Sequence, residues 1–274
     1  LGNARAVLRA MPDLGVDVAV NIAESYGTRN REAHVPVLLE LAGVPCVGSD
    51  ALALSVSLDK HLTKTVVGAA GVAVPAGIVV ASGATPDLEA GFPVIVKPRY
   101  EGTAKGIAPS SRCETAASLA LEVARQHGLY RQDLVVEAFV EGAEFTVGVV
   151  GTGETARALP PLQRAVDRVT GIGTHALGDT DDYVLEGDVT PALDRALEGA
   201  ALLAHRALEC RDFSRSDFRV GADGEPVFIE INPLPTFAPD GSFAILAALE
   251  GRDYDAFLAD VLRTALEDAI RRGP

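Results

Sequence analysis

Short apolar runs alternate with amphipathic stretches along most of the chain. Val16–Ile22 is apolar and β-branched and predicts a buried strand. A helix is predicted from Asn30 through REAHVPVLLELAG to a stop at Gly43, followed by a short strand at Val44–Val47. This is a βαβ-like remnant, about one strand and one helix short of a compact α/β domain. Asp59 to Ala70 reads as a helix with Gly71 as its stop. Ile78–Ala81 and Pro93–Val96 read as strands, Glu101–Gly106 as a glycine-flanked loop, Glu114–His127 as a helix, and Leu134–Val140 and Glu144–Val150 as strands. Residues 151–189 are polar and rich in Gly and Asp and are expected to be loops. Thr190-Pro191 is a cap and first-turn pair opening a helix with Leu193, Leu197, Ala200, Ala204 and Leu208 on one face. Phe213–Val220 and Pro226–Asn232 are predicted strands around Asp223-Gly224, and Tyr254–Ile270 is a last helix with Leu258, Val261, Leu262 and Leu266 inward.

Composition narrows the function classes. The 274 residues suffice for two domains, and no apolar run reaches the ~20 residues of a membrane span. Lys+Arg is 24 against Asp+Glu 38, an acidic balance that argues against nucleic acid or an anionic membrane as partner. Cys46, Cys113 and Cys210 are too scattered for a disulfide framework or thiolate metal site and fit a reduced, cytoplasmic protein. No secretory signal opens the sequence, and its start at Leu1 rather than Met is what a fragment or an artificially trimmed chain is expected to show. Its lysines are Lys60, Lys64, Lys97 and Lys105 alone; arginine supplies the other positive charges. A GC-rich genome explains the scarcity but not the clustering.

The strands flanking Asp223-Gly224 carry the most chemistry. With those two residues as the loop, Asp217 sits opposite Glu230 and Arg215 opposite Asn232. Side chains alternate along a strand, so all four project from one face, while Phe218, Val220, Val227, Ile229 and Ile231 bury the other. A one-residue bulge would break this parity. Facing carboxylates repel unless a cation lies between them, and oxygen ligands on a rigid sheet suit Mg²⁺. A solvated polar face, with Arg215 neutralising Asp217, accounts for the hairpin equally well.

Lys97 ends an apolar strand close to Glu101-Gly102-Thr103-Ala104-Lys105-Gly106. Glycines let backbone amides approach phosphate oxygens, and lysine adds a point charge. An ordinary turn has the same look. Lys60 near a helix start opposes the macrodipole, which suggests an anion nearby, whereas Lys64 reads as a solvated helix residue. The turn from Leu134–Val140 into Glu144 offers backbone groups to an adenine and the Glu144 carboxylate to a ribose; a plain inter-strand connection is the alternative.

Together, LLELAGVPCVGSDALALSVSLDKHLTK, GFPVIVKPRYEGTAKGI, VVEAFVEGAEFTV and SRSDFRVGADGEPVFIEINPLP resemble, in order, the ATP-grasp superfamily and within it the D-alanine–D-alanine ligase family. The resemblance implies an α/β (α+β) ATP-grasp fold: a partial N-terminal Rossmann-like segment (1–56), a central lobe (57–140) and a C-terminal lobe (141–274), the two lobes sandwiching ATP. It implies that Lys60 and Lys97 hold phosphates, that Glu137, Ala138 and Val140 frame adenine, and that Glu144 binds ribose. It further implies that Asp217, Glu230 and Asn232 ligate two Mg²⁺ ions, with Mn²⁺ as a substitute, and that Arg215 stabilises a tetrahedral intermediate. The loop with Gly102, Thr103 and Gly106 would close over the phosphates. The activity implied joins a small-molecule carboxylate to an amine through an acyl phosphate, with a homodimer compatible and no nucleic acid or membrane as partner.

Several family features differ. The glutamate anchoring the first substrate's amine would precede Leu1. The usual His-Gly and Gly-Glu-Asp-Gly stretch is replaced by AESYGTRNREAHVP, and Gly-Ser-Ser by Gly102-Thr103-Ala104. No lysine occurs within 160–186, leaving Arg164, Arg168 or His175 to reach a phosphate. Leu234-Pro235-Thr236 ends in threonine where the family has glycine, and Ser242 is the stand-in for a carboxylate-holding serine. Substrates other than D-alanine are therefore expected. The alternatives are a non-amino-acid nucleophile or a catalytically impaired ATP-binding module.

Overall fold

The computed structural model describes residues 4–11, 15–25, 27–84, 86, 91–173, 183–185 and 189–274. Helix α1 (Ala4–Ala10) precedes strand β1 (Ala19–Val20), which pairs in parallel with β2 (Cys46–Val47) across helix α2 (His34–Leu41). Helices α3 (Ala51–Leu58) and α4 (Lys60–Ala69) lead into an antiparallel sheet of β3 (Gly77–Val80), β4 (Val94–Pro98), β5 (Arg112–Cys113) and β6 (Leu134–Ala138). Its order is β3-β6-β4-β5. Helix α5 (Ala116–Tyr130) presses Leu119 and Val123 onto Val94, Val96, Leu134 and Val136, burying one face.

A second antiparallel sheet takes β7 (Ala143–Val150), β8 (Arg157–Ala158), β9 (Leu162–Arg164), β12 (Phe213–Val220) and β13 (Pro226–Asn232). Its order is β13-β12-β7-β8, with β9 also on β7, while β10 (Val166–Asp167) pairs with β11 (Tyr183–Val184) beside it. Helix α6 (Pro191–Ala207) sets Leu197, Ala201 and Ala204 against Phe145, Val147, Phe218 and Phe228. Val67 of α4 and Val72 enter this same core, which fixes α4 against the second sheet. Helices α7 (Ser242–Leu249) and α8 (Tyr254–Arg272) pack Phe243, Leu246, Phe257 and Val261 with Phe213 and Val47. Buried Asp212 ties the residue after β2 to the end of α8: it accepts from Gly48 N–H at 2.8 Å and from Arg272 Nη1 and Nη2 at 3.0 Å.

Several sequence expectations change. The strand at Val16–Ile22 shrinks to Ala19–Val20, because β2 is only two residues long and Ile22 is 75% exposed. The helix expected from Asn30 opens as a 3₁₀ turn, Arg31–Ala33, before α2. Within 151–189 the chain is not all loop: β8 and β9 find partners on β7. In α8 the buried face is Phe257, Val261, Ala265 and Ala269, with Leu258, Leu262 and Leu266 only half-buried beside it. Lys64 is buried rather than solvated.

The β12–β13 hairpin is corrected in an informative way. Val220 pairs with Pro226, so the connection is five residues rather than two, and a bulge follows between Asp217 and Phe218. The two irregularities cancel: Arg215 still faces Asn232 and Asp217 still faces Glu230. Between bulge and turn the alternation inverts, so Phe228 is buried in place of Val227 and Ile229.

Gly142 starts the turn into β7 with φ +115°, and a Cβ there would run into the Val220 carbonyl. Gly142→Ala is expected to lower stability by about 2 kcal/mol or more, from backbone strain plus this clash, measured by urea denaturation against Gly199→Ala, which has open space and no left-handed φ.

Candidate active site

Asp59 determines where the first lysine goes. Its carboxylate caps α4, accepting from His61 and Leu62 N–H at 3.1 and 3.2 Å, and it takes both Arg99 Nε and Nη2 at 2.8 Å. Arg99 follows β4, and its carbonyl accepts the Lys60 N–H at 3.1 Å. Helix start and strand end are thereby one unit. From it the Lys60 ammonium donates to the Glu101 carbonyl at 2.7 Å and to Glu230 Oε2 at 3.1 Å. Lys60 beside it holds the Glu230 carboxyl down at about 2, aided by Lys97 and Arg215 against the opposing effect of burial.

Behind Lys60 lies a buried trio. Glu137, on β6, is 2% exposed and accepts Lys64 Nζ at 2.6 Å and Lys97 Nζ at 2.5 Å. Burial alone would raise its carboxyl, but the two ammonium groups hold it at about 2. Burial also brings Lys64 down to about 8, against the attraction of Glu137.

One cleft is lined by Lys60, Lys97, Glu137, Ala138, Val140 and Glu144, six residues singled out in the sequence, together with Glu230. The amides of Ala138 and Phe139 already donate to Ala76 and Pro93 carbonyls at 2.8 and 3.0 Å, which removes them from the set open to an adenine. Several lining residues escaped the sequence reading, three of them with specific contacts. Arg219 pairs with Glu144 at 2.8 Å, Phe139 lies under the Arg112 guanidinium at 4.5 Å, and Gly173 packs so close to Glu144 that a Cβ would sit 2.5 Å from its carboxylate. Arg219 was hidden because its partner is far off in sequence; its place two residues beyond Asp217, on the same strand face, was the available signal.

An adjoining cavity shares Lys60, Glu101, Ala104, Lys105 and Glu230 with the cleft and adds Gly102, Thr103, Arg215 and Asn232. Asp217 stands behind Arg215, accepting Thr146 Oγ1 at 2.6 Å and Arg215 Nη2 at 3.2 Å. Asp217 beside it raises the Arg215 guanidinium further above its ordinary range. Thr103 and Ala104 both adopt left-handed φ of 54° at the loop tip. Gly102 has open space where a Cβ would go, whereas one on Gly106 would sit 2.5 Å from Pro98. Gly106 therefore has a packing role and lines neither cavity. The cavity also gathers Glu24, Ser25, Arg31 and Glu32 from the AESYGTRNREAHVP stretch. Of the stand-ins for a phosphate-reaching lysine, Arg164 faces Glu144 across β9 and β7, Arg168 is exposed, and His175 lies outside the described residues.

Glu137→Gln leaves two buried ammonium groups without a counter-charge and is expected to cost about 3–5 kcal/mol at pH 7. Because the Glu137 pKa is depressed, its contribution to stability is complete above the unfolded value of about 4.5 and is lost as pH falls toward about 2. Urea denaturation across that window should show a shallower acid limb in the variant.

The description D-ala D-ala ligase C-terminus belongs to a family model that matches residues 83–263. The D-alanine–D-alanine ligase of Cupriavidus taiwanensis is 32% identical over 248 residues, covering 89% of this chain and 74% of that protein. That of Alcanivorax borkumensis is 31% identical over 243 residues, covering 88% and 76%. Among solved structures, Bacillus anthracis D-alanine–D-alanine ligase complexed with ATP superimposes with a TM-score of 0.77 at 22% identity, covering 100% of this chain and 86% of that one. The VanG D-Ala:D-Ser ligase of Enterococcus faecalis gives 0.76 at 20% identity, covering 91% and 73%. At those identities the superpositions establish the fold.

Proposed function

The chain belongs to the D-alanine–D-alanine ligase family of ATP-grasp enzymes, and on that premise we propose that it is an ATP-dependent carbon–nitrogen ligase whose substrates are other than D-alanine. The observation that carries the reading is the sharing of Lys60 and Glu230 between two contiguous cavities, one with the lysine-rich floor and one with Arg215. A triphosphate in the first cavity has its γ end at the mouth of the second. A carboxylate there takes the phosphoryl group to give an acyl phosphate and ADP; an amine then adds to the acyl carbon and phosphate leaves.

In this reading the lobe of residues 57–140 and that of 141–274 enclose the nucleotide. Lys60 and Lys97 neutralise phosphate oxygens, Glu137, Ala138 and Val140 border the base, and Glu144 accepts from ribose hydroxyls. Arg215 offers its charge to the oxygen of the tetrahedral adduct, where fixed donors act most strongly. Thr103, at the tip of the loop, borders the phosphate side, and the loop from Gly102 to Gly106 excludes water from the acyl phosphate. Asp217, Glu230 and Asn232 suit Mg²⁺ in donor chemistry: two carboxylates and an amide oxygen on one face of a ladder, with coordination left over for phosphates. When bound, the ion supplies charge neutralisation to the phosphoryl oxygens.

The departure at Thr236, which lines the substrate cavity, supports substrates other than D-alanine. The test is ATP-dependent phosphate release with D-alanine and with a panel of other amino acids and small carboxylates. Weak or absent release with D-alanine, and saturable release with another pair, is expected. Robust turnover with D-alanine alone would reverse the substrate part of the reading. Separately, Asp217→Asn and Glu230→Gln should abolish Mg²⁺-dependent tightening of ATP binding in calorimetry while circular dichroism stays unchanged.

A further inference from the structure

The substrate cavity holds a cation that the ligase reading does not use. Arg31 lies in the 3₁₀ turn before α2, and its side chain is only 9% exposed. Burying a guanidinium is costly unless its donors are satisfied. Its carboxylate neighbours meet that demand poorly. Glu32 Oε1 is 3.4 Å from Nε and Glu101 Oε2 is 3.6 Å from Nη2, both longer than the ~2.7–2.9 Å of a charge-assisted hydrogen bond. Nor are those partners dedicated. Glu101 also accepts from Gln132 Nε2 at 2.9 Å, and burial biases Glu32 toward its neutral form, with its Oε2 buried and unpartnered. Across the cavity, Lys60 and Arg215 each make an ion pair within hydrogen-bond distance, to Glu230 at 3.1 Å and Asp217 at 3.2 Å, although Arg215 Nε stays buried without a partner. Arg31 is therefore a positioned fork of donors with slack counter-charges, on the wall of the cavity that also contains Arg215.

We infer that Arg31 is a specificity-determining residue that receives an anionic group of the substrate, so that the acid or amino acid taken here carries a second carboxylate besides its reacting end. The inference rests on the ligase reading for the identity of the cavity. A carboxylate at Arg31 replaces two long ion pairs with a bidentate contact. A neutral amide of the same shape gains little, because it cannot match the buried charge.

Calorimetry decides it, with the 274-residue chain, Mg²⁺ and the β,γ-imido analogue of ATP. Glutamate is compared with glutamine, and aspartate with asparagine, in both enantiomers. At least one acid should bind about ten- to a hundred-fold more tightly than its amide, the range of a charge-assisted contact. Arg31→Gln should erase the difference and Arg31→Lys should keep part of it, with affinity for the ATP analogue unchanged in both. Equal binding of acid and amide by the unmodified chain, or a preference that survives Arg31→Gln, overturns the inference. Phosphate release on the same panel separates the two levels: turnover with neutral amino acids and no acid preference overturns this inference alone, whereas acid-selective binding with no release for any carboxylate–amine pair overturns the ligase reading alone.

Discussion

The grip of Lys64 and Lys97 on the Glu137 carboxylate governs much of the site. Three charges with almost no solvent are tolerable only because each ammonium lies within 2.6 Å of the one carboxylate. The trio bolts α4 to β4 and β6, three elements from different parts of the chain. Since α4 also sends Val67 into the core of the second sheet, the first sheet is tied to the second through this helix. Its net charge of one positive unit then lies under the cleft floor, a reason for placing scarce lysines there and nowhere later in the chain.

The register of β12 and β13 is a second constraint, and it explains what was legible in the sequence. Strand positions and the shared face of Arg215, Asp217, Glu230 and Asn232 follow from alternation, whereas the facing of Asp217 with Glu230 and of Arg215 with Asn232 rests on an assumed two-residue turn and holds because the longer turn and the bulge compensate. The turn length does not follow from alternation, because a five-residue connection with a bulge leaves the far end of the ladder in the same register as a two-residue turn without one. The error shows only between bulge and turn, where Phe228 takes the buried place assigned to Val227 and Ile229. Local alternation is readable; compensating irregularities are not.

Other features lay beyond the sequence because they are pairings between distant segments. Lys64 sits on an amphipathic helix where an exposed position is the ordinary expectation, and only Glu137, on β6, makes its burial sensible. Asp59 looks like any helix cap until Arg99 closes on it. Arg31 and Glu32 open a stretch predicted as plain helix but observed as a 3₁₀ turn, and nothing local directs them into a cavity with Arg215. Where the code is periodic and unbroken, as in β12 and α6, the sequence suffices; where a charge needs a partner from another element, the fold has to supply it.

These pairings also define what binding must do. Lys60 is engaged by Glu230, Lys97 by Glu137 and Arg215 by Asp217. A polyanion entering the proposed nucleotide cleft exchanges existing ion pairs for new ones instead of finding bare cations. The exchange is selective in its consequence. Lys97 can share its ammonium because Glu137 keeps Lys64, whereas Lys60 turning to a phosphate leaves Glu230 without its nearest cation. In the proposed reading Glu230 would then face Asp217 across the ladder with its charge exposed, and a divalent cation held there would relieve that repulsion. In that reading nucleotide and metal would stabilise each other through one side chain, Lys60, and the cap at Asp59 sets where that side chain begins.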